Sequence, residues 1–411
     1  MQRLWGISFW GIIALGLKLK DIVDVTIPAT QVGRYPKPSW YDYAIGDRGW
    51  TEICNAPDFV ESYTDAVRAI ITEQETADMD IVTDGCLRYD MPPYFAPGTS
   101  IASWGTNSLA YLGGARRVEA RPKGATVLDR VIGEENSNSF FRISGLSPGQ
   151  KGYFWVFEEE PSLGKLDLWL ETVKIALTYS RKVFKFSGPS AAMAAFHSFN
   201  QTGKGDRDVY FALHRVQNKI LREIVKAGCR IIQLDFPFGM AHWMTQFTEI
   251  DTDTWNILID AFNEQVEGVD ANIWVHFCFG APILYSHETL PMRWHMANVY
   301  PHIEEFKADC IQSEAANTHG RHLDQELGAW RDHIPEKDYA VGAVTPYNLT
   351  ETYEDVDKIV EKTLEYVPPE KLALTSDEGL AGNGFMTRRG AIIKMKLLAG
   401  AAKRARQKLE N

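Results

Sequence analysis

Eight short apolar, β-branched runs punctuate the chain, each ending in Gly, Pro or a polar residue able to face solvent. They are Val25 to Val32, Met79 to Thr83, Val183 to Ser187, Arg230 to Leu234, Asn272 to Phe279, Asp309 to Ser313, Tyr339 to Val344 and Lys371 to Ser376. Between most of them lies the periodicity of amphipathic helices, clearest in Val209 to Ala227, Thr254 to Val266 and Tyr353 to Tyr366. Strands that alternate with helices pair in parallel through right-handed crossovers, and eight such units predict an α/β chain closed into a (β/α)8 TIM barrel. A doubly wound open sheet is the alternative. It is disfavoured because no Gly-rich phosphate loop follows the first run.

The rhythm breaks between about residues 91 and 160, which are rich in Gly, Pro, Ser and aromatics, with short β-like pieces at Thr126 to Ile132 and Ser139 to Ile143. This reads as an insertion after the second strand, serving as a lid or substrate wall, or as a packed ornament or oligomer contact. Residues 21–411 otherwise read as one barrel domain. Ahead of it, Leu4 to Leu17 is an apolar run flanked by Arg3, Lys18 and Lys20. It is shorter than the ~20 residues of a spanning helix, and no small-x-small cleavage pattern follows. Residues 1–20 are therefore expected to be an appended extension, with a targeting segment as the second reading.

A net charge of -11 argues against nucleic acid as a partner, because neutralising phosphates takes clustered Lys and Arg. Five cysteines, an odd number in 411 residues, do not form a disulfide framework and point to a reducing, cytoplasmic setting.

Chemistry gathers at the ends of the later strands. His276 and Cys278 are two apart in a strand, so both side chains point to one side and can reach one ion. Alone, such a pair is more often a core histidine beside a buried cysteine. The sixth run, however, leads to Glu314 and the eighth to Asp377 and Glu378, so carboxylates arrive at the same rim from apolar strands. Burying them is costly unless they are paired or bound to metal. A metal site is the expected outcome.

The strand-end motifs, in order, are Ile27-Pro28-Ala29-Thr30-Gln31-Val32-Gly33, Ile81-Val82-Thr83-Asp84-Gly85, Phe186-Ser187-Gly188-Pro189, Ala227 to Asp235, His276-Phe277-Cys278, Glu314 and Asp377-Glu378-Gly379-Leu380. Together they resemble the catalytic barrel of cobalamin-independent methionine synthase and its barrel-only relatives. The resemblance implies a zinc ion held by a His-x-Cys pair, a Glu on the next strand and a second Cys. His276, Cys278 and Glu314 match, whereas Glu378 stands in place of the second Cys. Carboxylate for thiolate keeps the charge but makes the set harder, so zinc is the first choice and iron or manganese are admissible.

The implied reaction is methyl or alkyl transfer to the sulfur of a small-molecule thiol, activated as a metal-bound thiolate. The substrate positions that match the family are Gly33, Asp84 and Asp235, while Arg34, Cys86 and Phe236 replace a Ser and two Glu. These exchanges remove partners for an ammonium and add a guanidinium suited to a carboxylate, sulfonate or phosphate, although Arg34 equally reads as a strand-end salt bridge. The family Trp that stacks on folate is absent around Ala195 to Ser198, and the proton-donating His of the seventh strand end is replaced within Thr345-Pro346-Tyr347-Asn348. His197, His242 and His319 are the alternative acids, each more ordinarily a loop histidine. Competing functional classes are a metal-dependent hydrolase or lyase and a non-catalytic barrel.

Overall fold

The structure is a computed structural model and describes residues 17–41, 57–89, 108–120, 122–133, 151–236, 251–278, 296–381 and 386–411. Most of the apolar run from Leu4 to Leu17, together with Cys54, His242 and Ser139 to Ile143, lies outside the described residues.

Seven strands form a curled parallel sheet: β1 (Ile81–Val82), β4 (Val183–Pro189), β6 (Ile231–Asp235), β7 (Asn272–Phe277), β8 (Cys310–Glu314), β9 (Asp338–Val344) and β10 (Leu372–Ser376), adjacent in that order. Helices connect them: α1 (Pro57–Thr76) precedes β1, α3 (Leu166–Tyr179) precedes β4, and α4 (Ala191–Phe196) with α5 (Asp206–Lys226) leads to β6. Then α6 (Thr252–Val266) leads to β7, 3-10 turns at Met296–Asn298 and Tyr300–His302 precede β8, α7 (Leu323–His333) leads to β9, α8 (Tyr353–Leu364) to β10, and α9 (Arg388–Leu409) follows. The later strands are buried from end to end, which is why they read as continuous apolar runs.

The first expected strand, Val25 to Val32, departs from this. Within it only Ala29 makes a bridge, to Leu374. Ile27 has φ +51°, a conformation costly for a β-branched residue that interrupts the ladder. The segment is nevertheless hydrogen-bonded on both sides. Leu374 N donates to Pro28 O at 2.9 Å and Thr30 N to Leu374 O at 2.8 Å, while Asp80 N and Ile81 N both donate to Ala29 O, at 3.0 and 3.2 Å.

One end of the curled sheet is filled by Leu19 and Val23, which pack with Ile81, Ile231, Trp274, Cys310, Ala340 and Ala373 near the starts of their strands. Burying each such side chain stabilises the fold by roughly 1.5–3 kcal/mol. Above that layer the interior turns polar: Lys185 Nζ donates to Gln233 Oε1 at 2.5 Å, and Gln31 Nε2 to Thr83 Oγ1 at 2.6 Å. The interior of the curled sheet therefore passes from an apolar layer to a polar one.

The stretch expected as an insertion contains β2 (Leu112–Ala120), antiparallel to β3 (Lys151–Leu163), which pairs in turn with β5 (Ser198–Asn200). Thr126 to Ile132, read above as β-like, is instead helical: α2 covers Val127–Ile132. The reason is local. Asp129 N donates to Thr126 Oγ1, and Thr126 N donates to the Asp129 carboxylate, so a reciprocal capping box outweighs the β preference of the branched residues.

Candidate active site

Three strand ends converge at the polar rim. Cys278 follows β7, Glu314 ends β8, and Glu378 lies two residues beyond β10; the Cys278 sulfur and one carboxylate oxygen from each glutamate all lie within 4.8 Å of one another. His276, two residues before Cys278, is buried and stands outside that group. Its Nδ1 is enclosed and makes no hydrogen bond. Burial, with a smaller contribution from the Lys185 charge, pushes its pKa down to about 3, so the imidazole is neutral.

A third carboxylate holds these strand ends together. Asp377 accepts from the backbone N–H groups of Ala315 at 2.8 Å, Ala316 at 3.1 Å and Asn317, tying the turn after β8 to the one after β10. Its close approach depends on Gly342 in β9, where a Cβ would collide with Asp377 Oδ1. The Asn317 amide donates to Glu314 Oε2 at 2.7 Å, and Thr345 Oγ1 donates to Asn317 Oδ1.

Tyr347, which carried no role in the sequence reading, belongs to this cluster. Its hydroxyl donates to Glu378 Oε2 at 2.5 Å, whereas Glu378 Oε1 is buried without a hydrogen bond. Burial raises the Glu378 pKa to about 7, and the tyrosine hydroxyl partly offsets the rise. Burial and the negative groups Glu378, Glu314 and Cys278 push the Tyr347 pKa upward, so it stays a proton-bearing donor. The only sequence trace of this arrangement is its position just past the seventh strand.

The residues expected to bind substrate are arranged around the same rim. Gly33 packs so closely on Ser187 that a Cβ would stand 2.6 Å from Ser187 Cβ, so a larger residue would push the first segment off β4. Arg34 is half-buried, and its carbonyl accepts from Ala381 N at 3.2 Å, which places it beside the Glu378 loop. Asp235 ends β6, accepts from Gln233 Nε2 at 3.0 Å, and has its pKa raised to about 7 by burial. Asp84 is differently employed: Oδ1 accepts from Cys86 N at 3.0 Å, and Oδ2 pairs with Arg88, both side chains being fully buried. Cys86 is buried too, and its thiol is pushed up to about 12, mainly by burial and then by Asp84, so it remains a thiol. His197 is enclosed, with burial lowering its pKa to about 3, so the ring is neutral at neutral pH and does not act as an imidazolium acid.

No protein-family model matches the chain. It is 26% identical over 403 residues to methionine synthase from Saccharolobus solfataricus, covering 93% of this chain and 96% of that protein. It is 25% identical to methionine synthase from Sulfurisphaera tokodaii, covering 94% of each. Over nearly its whole length the chain is similar to the methionine synthase family. A B12-independent methionine synthase from Shewanella sp. W3-18-1, solved with selenomethionine, superposes with a TM-score of 0.70 at 21% identity, covering 94% of this chain and 99% of that one. On this likeness the chain is a methionine-synthase-like transferase. Among the described residues, no helix is long and apolar enough to cross a membrane.

Proposed function

We propose that this protein is a zinc-dependent methyl- or alkyltransferase whose acceptor is a small-molecule thiol, with His276, Cys278, Glu314 and Glu378 as metal ligands. The observation that carries the proposal is the convergence of Cys278, Glu314 and Glu378 from three strand ends to within 4.8 Å. The donors suit a divalent ion: a thiol, two carboxylates and a neutral imidazole, with Glu378 Oε1 and His276 Nδ1 both buried and unbonded. Leaving such atoms unsatisfied costs on the order of 1–3 kcal/mol each, a cost that coordination removes. The bound metal supplies a lowered thiol pKa, so that the acceptor is a nucleophile at neutral pH. Iron or manganese remain compatible with this harder set.

The chain's own residues orient the acceptor. Gly33 and Asp235 shape the rim, and Arg34, beside the Glu378 loop, pairs with an anionic end of the thiol. Cys86 is a neutral thiol and Asp84 is already paired with Arg88, so the rim supports a carboxylate, sulfonate or phosphate acceptor over homocysteine. Methyl-folate as the donor is disfavoured by the missing Trp and His. In the same reading residues 21–411 are one cytoplasmic (β/α)8 domain in which segment 28–30 is the eighth strand, with residues 1–20 as an extension and about 91–160 as an insertion.

A metal-dependent hydrolase or lyase is the second reading, favoured by the presence of only one thiol in the group. X-ray absorption on metal-loaded protein, with and without added thiols, separates the two. A new sulfur ligand on thiol addition supports transfer, and an unchanged shell overturns it in favour of the second reading. Protein without stoichiometric metal overturns both.

A further inference from the structure

A thiolate presents one donor atom, whereas the carboxylate at position 378 presents two. Were both oxygens to bind, Glu378 would fill the coordination place that an acceptor sulfur needs. One oxygen, Oε2, accepts the Tyr347 hydroxyl at 2.5 Å, and the other, Oε1, is buried with no hydrogen bond.

The same short loop after β9 reaches the second carboxylate of the group. Thr345 donates to Asn317, which donates to Glu314 Oε2. Tyr347 N in turn donates to Thr345 Oγ1 at 3.3 Å, so both contacts share one backbone turn. That turn is fixed from below: Thr345 N donates to the Glu351 carboxylate at 3.0 Å, and Glu351 pairs with Lys394 of α9, with both side chains buried.

From this juxtaposition we propose that Tyr347 is a positioning residue that makes Glu378 a one-oxygen ligand and so keeps a coordination place open for the acceptor. The inference rests on the metal reading given under Proposed function. It makes Tyr347 and Glu378 a matched pair: the phenol occupies the oxygen that exchanging a thiolate for a carboxylate introduces. Outer hydrogen bonds of this kind orient ligands and commonly affect metal affinity or activity by about 10–100-fold.

The test compares the parent, Tyr347→Phe, Glu378→Cys and the double variant, each loaded with zinc and measured by X-ray absorption with and without a small anionic thiol. In Tyr347→Phe the oxygen and nitrogen ligand count is expected to rise by about one, and the sulfur shell gained on thiol addition to shrink or vanish, with thiol affinity falling about tenfold. In the Glu378→Cys background, where no second oxygen exists, adding Tyr347→Phe is expected to change neither. If Tyr347→Phe binds zinc and gains sulfur just as the parent does, the inference is overturned while the metal reading stands. An equal loss with and without Glu378→Cys also overturns it, since the tyrosine would then act through something other than the second oxygen. A parent that takes up no zinc overturns the metal reading and this inference together.

Discussion

Arg88 and Asp84 form an ion pair in which both side chains are fully buried, four residues apart on the turn after β1. Arg88 Nη1 also donates to Ser187 O at 3.0 Å, and its guanidinium lies over the Phe186 ring at 4.5 Å. The pair thus stitches the turn after β1 to β4.

Removing one partner strands the other charge in the interior. Arg88→Met is expected to lose about 3–5 kcal/mol of unfolding free energy, whereas Asp84→Asn with Arg88→Met recovers most of that loss, because a neutral pair leaves no buried charge. Urea unfolding monitored by fluorescence on all three proteins provides the check.

On the proposed reading, Arg34 sets the acceptor preference. Arg34→Ala is expected to raise KM for a carboxylate- or sulfonate-bearing thiol by about tenfold or more, the loss of one charge-assisted hydrogen bond. For an uncharged thiol of equal length, the change stays within about twofold, since no ion pair is lost. Equal changes for both acceptors would assign Arg34 to the fold instead.

Buried Glu326 on α7 makes stability depend on pH. It accepts from Met296 N at 3.0 Å and from Ser313 Oγ at 3.0 Å, and burial raises its pKa from 4.5 to about 7. A carboxyl raised in the folded state binds its proton more tightly than in the unfolded chain. Its stabilising contribution is therefore complete below about pH 4.5 and is lost as pH climbs through 7. The loss amounts to about 3 kcal/mol, and Glu326→Gln is expected to remove that slope. Chemical denaturation at pH 5 to 8 is the measurement, and parallel slopes for parent and variant would contradict it.

The strands β6 to β10 and the gathering of Cys278, Glu314 and Glu378 at their ends were legible because they are encoded locally. A strand buried on both faces is a continuous apolar run, and a carboxylate or cysteine at its end stands out against that background. Tyr347 was not legible, because its role is a hydrogen bond to a residue 31 positions away, with nothing in Thr345-Pro346-Tyr347 to signal it. Asp84 shows what the motif alone omits: its buried ion pair with Arg88, four residues on, was no part of the sequence reading. The first strand was over-read because Ile27 breaks the ladder through its backbone, which an apolar pattern does not register. At Thr126 the branched residues pointed one way and the Thr-x-x-Asp cap another, and the cap prevailed. Strand β2 escaped notice because Gly113, Gly114, Arg116 and Arg117 dilute its apolar character, and its partner β3 supplies the pairing from afar.

Cys278→Ala and Glu314→Ala are each expected to lower bound metal well below one ion per chain while leaving the melting transition of the metal-free protein within a few degrees, because both sit at strand ends. Elemental analysis beside calorimetry separates ligand loss from misfolding.

The most direct measurement is anomalous diffraction at the zinc absorption edge from crystals of zinc-loaded protein. A single strong peak between Cys278 Sγ, Glu314 and Glu378, with the His276 ring turned toward it, is the expected result. A fully loaded crystal with the peak elsewhere, or with none at these strand ends, would contradict the account.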